Sequence, residues 1–62
     1  MNRVVKILMD RDNIDQENAE ALVRETRDEI LSLDEDDVFE IDDIILDYLG
    51  LEPDYVFDIL DF

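Results

Sequence analysis

Asp36, Glu40, Asp43 and Asp47 recur at i, i+4, i+7 and i+11, the spacing that sets four carboxylates in one stripe along a helix. At about 1.5 Å rise per residue the stripe covers about 16 Å, with neighbours about 5–6 Å apart. Phosphates along one nucleic-acid strand are comparably spaced. Asp54, Asp58 and Asp61 repeat the pattern further on, and Glu25, Asp28 and Glu29 add a third set. Such an array does not point to bond cleavage. It can imitate a polyanion, fill the basic groove of a DNA-binding protein and displace its counterions.

A solvated face is the plainer use of a charge run. Two features argue for more. Like charges at i, i+4 lower helix stability. A solubilising surface also normally intersperses lysines, and residues 28–62 hold none. The chain has 62 residues, twenty acids and five bases, for a net charge of −15. Residues 1–27 contain all five bases and six acids and net −1. Residues 28–62 contain fourteen acids and no base and net −14. Any ion pair of the second half must come from the first half or from another molecule.

Other chemistries find less support. Cysteine and histidine are absent. The usual zinc, iron–sulfur, haem and copper ligand sets are therefore missing, as are Ser–His and Cys–His nucleophile pairs. The single glycine, Gly50, excludes both the P-loop and the GxGxxG cradle. Asp34-Glu35-Asp36-Asp37 starts like a calcium loop, but Val38, Phe39 and Ile45 fall where an EF-hand needs an acid, a glycine and a glutamate. Twenty acids guarantee close carboxylate pairs, yet so short a chain has little material to wall a substrate cleft. The expectation is a protein that is not an enzyme and needs no cofactor or metal.

Like charge disfavours direct contact with nucleic acid or with anionic membranes. No apolar run exceeds three residues, so no bilayer span is expected. Carboxylates soon follow the opening residues, and a signal peptide is not expected. The leading partner is a basic protein.

The elements that must position these carboxylates read as helices. Apolar content of 47% is ordinary for a folded domain, so residues 1–62 should form one small domain despite the charge. The expected fold is all-α, a compact array of three to four short amphipathic helices. The first covers about 2–11 with Val4, Val5 and Leu8 inside, a short strand being the rival. The second covers about 16–31, with Asp15 as N-cap and Ile14 and Ala19 as a weak staple. Ala19, Leu22, Val23, Thr26 and Ile30 form its inner face.

The third is expected from Asp37 to Leu49 with Asp36 as N-cap. Val38, Ile41, Ile44, Ile45, Tyr48 and Leu49 form its inner face. Gly50 should be the left-handed residue after it, with Leu51 closing a Schellman motif. Pro53 opens a fourth short helix that buries Tyr55, Val56, Ile59 and Leu60. Phe39, Leu46 and Phe57 fall off these faces and are candidate apolar contacts within the acidic half. A homodimer interface accounts for them equally well. The expected partner-binding set is Asp36, Glu40, Asp43, Asp47, Asp54 and Asp58, with Phe39 and Phe57.

The stretches Glu17–Val23 and, above all, Asp47–Leu60 (DYLGLEPDYVFDIL) resemble small acidic proteins of bacteriophages and mobile elements. The resemblance implies a cytoplasmic protein of a bacterial host cell. It also implies a counter-defence purpose: inhibition of nucleases, restriction or CRISPR complexes or repair enzymes, in several cases by DNA mimicry. It brings no catalytic motif.

Overall fold

A computed structural model describes residues 2–62. Its elements follow the polar–apolar periodicity closely. Helix α1 spans Arg3–Asp12, α2 Gln16–Leu31, α3 Ile41–Leu49 and α4 Val56–Leu60. Two 3₁₀ segments, Glu35–Glu40 and Pro53–Tyr55, lead into α3 and α4. No strand occurs among the described residues.

Side-chain caps start the first two helices. The Asn2 carboxamide accepts the Val4 and Val5 amides at 2.8 and 3.4 Å, which settles the first segment as helix over strand. Asn13 ends α1 in the left-handed region at φ 55°. The Asp15 carboxylate accepts the Asn18 amide at 2.8 Å, the N-cap expected for α2. Within α2, the buried Thr26 returns its hydroxyl to the Leu22 carbonyl at 2.8 Å, so no hydroxyl is stranded in the core.

The core is Val4, Val5 and Leu8 of α1, Ala19, Val23 and Ile30 of α2, Ile45 and Leu49 of α3, and Ile59 of α4. Helix α2 is the central element, packing on α1, α3 and α4. It can do so because its inner stripe, Ala19 to Ile30, runs for about three turns. Gly50 stops α3 with φ 65°. Its amide bonds the Leu46 carbonyl at 2.8 Å, the single bond of the αL motif rather than the expected Schellman pair.

The third element departs from expectation. Residues 35–40 are 3₁₀, α-helix begins only at Ile41, and Asp34, not Asp36, is the extended residue before the turn. Val38 was expected inside but is exposed. Without a buried anchor, nothing holds this stretch in α register. An α-turn would stack Asp36 on Glu40, whereas the roughly 120° step of a 3₁₀ turn swings them apart. Tyr48 and Leu60, also expected inside, are partly exposed, at 39% each, because so short a chain cannot cover every apolar position.

Candidate partner-binding surface

The 3₁₀ start shortens the carboxylate stripe. Asp43 and Asp47 lie i, i+4 within α3 and share a face. Glu40 enters three residues before Asp43 and continues that face. Asp36 is turned away from it. The aligned stripe, Glu40–Asp43–Asp47, therefore covers about 10 Å instead of about 16 Å. All three carboxylates are exposed. Asp54 is exposed in the second 3₁₀ segment, apart from α3. Among the described residues no acidic group has the geometry of a metal site, and no pocket opens in the surface.

Asp58 is not a free anion. Arg3 of α1 places Nε 3.0 Å from its Oδ2, with Nη2 on the same oxygen. The Asp58 carbonyl also accepts the Asn2 carboxamide at 2.8 Å. Arg3 lies over the Tyr55 ring at 4.8 Å from its centroid. One arginine thus joins two residues of the fourth segment to the start of α1, and Asp58 has a structural duty that its spacing did not reveal.

The other arginines also turn onto the protein. Arg11 donates from Nη1 to the Gly50 carbonyl at 3.2 Å, bringing positive charge to the C-terminal end of α3, which has no base of its own. Its Nε and Nη2 meet Asp12 at 2.8 and 2.9 Å. This fork raises the arginine and holds the Asp12 carboxyl below the usual carboxylate range. Arg24 pairs with Glu20, four residues before it on α2, at 3.8 Å and lies 5.3 Å from the Phe62 ring centroid. Arg27 reaches Asp28 at 3.3 Å, while its buried Nε has no partner.

The ion pairs therefore engage Asp58, Asp12, Glu20 and Asp28. Sixteen of the twenty carboxylates have no cationic partner among the described residues. A second group of acids gathers around Tyr48. Partial desolvation, then Glu29 and Glu25 of α2 and Asp47 beside it, push the phenol pKa up. Glu25 and Glu29 of α2 and Asp47 of α3 thus act on one phenol across the packed α2–α3 seam, a relation that linear spacing does not display.

Phe39, Leu46 and Phe57 are exposed as expected, at 73%, 60% and 79%. Phe39, at the end of the 3₁₀ segment that leads into α3, and Leu46 of α3 are seven residues apart, about two turns, and fall on one side. Phe57 belongs to α4, which packs on α1 and α2. Spacing had not singled out Asp42, which borders the Phe39–Leu46 side. Its place four residues before Leu46 is the signal that could have found it. No helix among the described residues is long and apolar enough to cross a membrane.

Comparison with protein-family models, curated proteins and solved structures finds no match. The functional reading rests on the chain's own residues and their arrangement.

Proposed function

We propose that the chain is a non-catalytic acidic binding protein that engages a basic, nucleic-acid-binding protein through its carboxylate surface. The observation that carries this reading is the inward use of the arginines. Arg3, Arg11, Arg24 and Arg27 all bind groups of the same molecule. Arg3, Arg11 and Arg24 remain exposed but are matched by acids, and the sixteen acids without a cationic partner among the described residues leave the surface strongly negative. Such a field speeds encounter with a cationic groove and repels nucleic acid itself. Glu40, Asp43, Asp47 and Asp54 are exposed members of it, and Asp36 lies outside the aligned stripe.

The resemblance to small acidic phage proteins supports the finer form of the reading. In that form the target is a host nuclease or another DNA-binding protein in the bacterial cytoplasm, and the chain inhibits it by presenting a DNA-like surface. The test measures binding to purified host nucleases and DNA-binding proteins at graded salt, with duplex DNA as competitor. Binding should weaken steeply with salt and be displaced by duplex. Glu40→Gln with Asp43→Asn should weaken it about 5- to 30-fold, two partly screened ionic contacts at about 0.5–1 kcal/mol each. Unchanged binding and competition in that variant would sink the mimic.

A homodimer whose charge serves only solubility is the second reading, and the exposure of Phe57 favours it. It expects a salt-insensitive dimer in sedimentation that Phe57→Ala disrupts.

A further inference from the structure

One side of α3 is left without a partner inside the fold. Phe39 and Leu46 stand there as the two ends of a ridge about 10 Å long, two helical turns apart. Asp42 falls between them toward one flank and Asp43 toward the other, and both carboxylates are exposed. Ile45 and Leu49, on the adjoining face about 60–100° round the helix from Leu46, hold the helix to the core. Exposed apolar residues scattered singly need no explanation, whereas two aligned on one ridge between charges mark a contact. The arrangement has the form of a heptad seam: apolar side chains at a seven-residue repeat, bordered by charges that select the partner.

The bordering charges decide what can cover the ridge. A neutral apolar partner would desolvate Asp42 and Asp43 without compensation. A second copy would bring together two molecules of net charge −15, and residues 28–62 contain no base to offset the contact. An occupant that satisfies both the ridge and its borders carries an apolar stripe flanked by lysine or arginine. We propose that the Phe39–Leu46 ridge of α3 docks a cationic amphipathic helix, with its apolar stripe on the two side chains and its bases over Asp42 and Asp43. This rests on the basic-partner reading above and names the part of that partner that is held. Helix-on-surface recognition of this kind is read through apolar anchors, with charge setting specificity.

Three synthetic probes test it against the whole chain: an amphipathic Leu/Lys helix, an oligolysine of the same charge, and a Leu/Lys peptide of scrambled order. At physiological salt the amphipathic peptide should bind at least about tenfold more tightly than the other two, from burial of the ridge. Amide shifts should centre on residues 39–47. Phe39→Ala with Leu46→Ala should bring the amphipathic peptide down to the oligolysine affinity and leave oligolysine binding unchanged. Both side chains are exposed, so the variant should keep its melting midpoint. Asp42→Asn with Asp43→Asn should weaken both peptides.

Equal binding of the amphipathic and scrambled peptides would overturn the ridge while leaving the basic-partner reading intact. Failure of every cationic probe to bind would remove both. Self-association that Phe39→Ala with Leu46→Ala abolishes would assign the ridge to a second copy and overturn the proposal.

Discussion

Arg3 and Asp58 lie 55 positions apart in the chain and meet with Nε 3.0 Å from Oδ2, while the Tyr55 ring lies beneath the guanidinium. The contact ties the first turn of α1 to α4, a five-residue helix that has only Ile59 fully inside. The Arg3 side chain is largely exposed, so the ion pair alone contributes well under about 1 kcal/mol. The ring contact adds about 0.5–1 kcal/mol. Arg3→Gln should therefore destabilise by about 1 kcal/mol and lower Tm by about 4–8 °C. Arg3→Lys should recover only part, since an ammonium cannot both fork onto the carboxylate and stack on the ring. Thermal melts followed by circular dichroism decide it, and equal melting of Arg3→Lys and the parent would show that charge alone matters.

Gly50 combines a left-handed backbone with the close approach of Arg11. A Cβ there would lie 3.3 Å from Arg11 Nη1. Gly50→Ala should cost about 1–2 kcal/mol from the αL conformation alone, with a further loss as the Gly50 carbonyl gives up its arginine. Gly50→Asn, which tolerates the left-handed region, should cost less. Urea midpoints at constant slope provide the measurement.

Much of this fold is legible from spacing, and the exceptions share a cause. Asp15 and the repeat Ala19-Val23-Ile30 define α2 because a cap and about three turns of periodicity agree. Gly50 and Pro53 mark the ends of their elements because few backbones suit those residues elsewhere. By contrast, six residues are too few to separate a 3₁₀ period from an α period at 35–40, so Asp36 was placed in line with Glu40. The inward arginines were not legible residue by residue. A half-chain without bases requires pairing from the other half, but Arg3–Asp58 and Arg11–Gly50 arise only when the helices pack. Likewise Glu25, Glu29 and Asp47 act together on Tyr48 only through the α2–α3 seam.

Tyr48 should make the fold sensitive to alkali. Its phenol pKa is raised by partial desolvation and by Glu29, Glu25 and Asp47. The folded state therefore favours the neutral phenol. That contribution is complete below the unfolded tyrosine value of about 10 and is lost as pH climbs through the folded value. Stability should fall over that interval, and Tyr48→Phe should remove the fall. Difference absorbance of phenolate, parent minus variant, should place Tyr48 ionisation above pH 10 or so. Ionisation of Tyr48 at the ordinary value would separate it from the α2 carboxylates.

Ile59 tests whether the fourth segment is part of the cooperative unit. It is fully buried, and α4 has no other side chain wholly inside. Ile59→Ala should cost about 2–5 kcal/mol, a large share of the stability open to so small a core. Hydrogen exchange should then show whether protection is lost over α4 alone or throughout the chain. Retained protection in α2 with loss confined to residues 53–62 would mark α4 as a docked appendage.

Salt separates the two effects of the carboxylates. Neighbours about 5–6 Å apart repel by roughly 0.7 kcal/mol per pair in water before screening. The sixteen acids without a cationic partner among the described residues outweigh the four exposed or half-exposed ion pairs found there, each worth about 0.2–1 kcal/mol. Melting temperature should therefore rise with salt as the Debye length falls from about 30 Å at 0.01 M to about 8 Å at 0.15 M. Asp43→Asn with Asp47→Asn should stabilise the chain by roughly 0.5–1 kcal/mol at low salt, and the gain should fade at high salt. On the reading proposed above, the same variant should bind a basic target less tightly. A surface kept for solubility alone would show the first effect without the second. Retention of both charges at the expense of stability is then a direct measure of how far the anionic face serves binding.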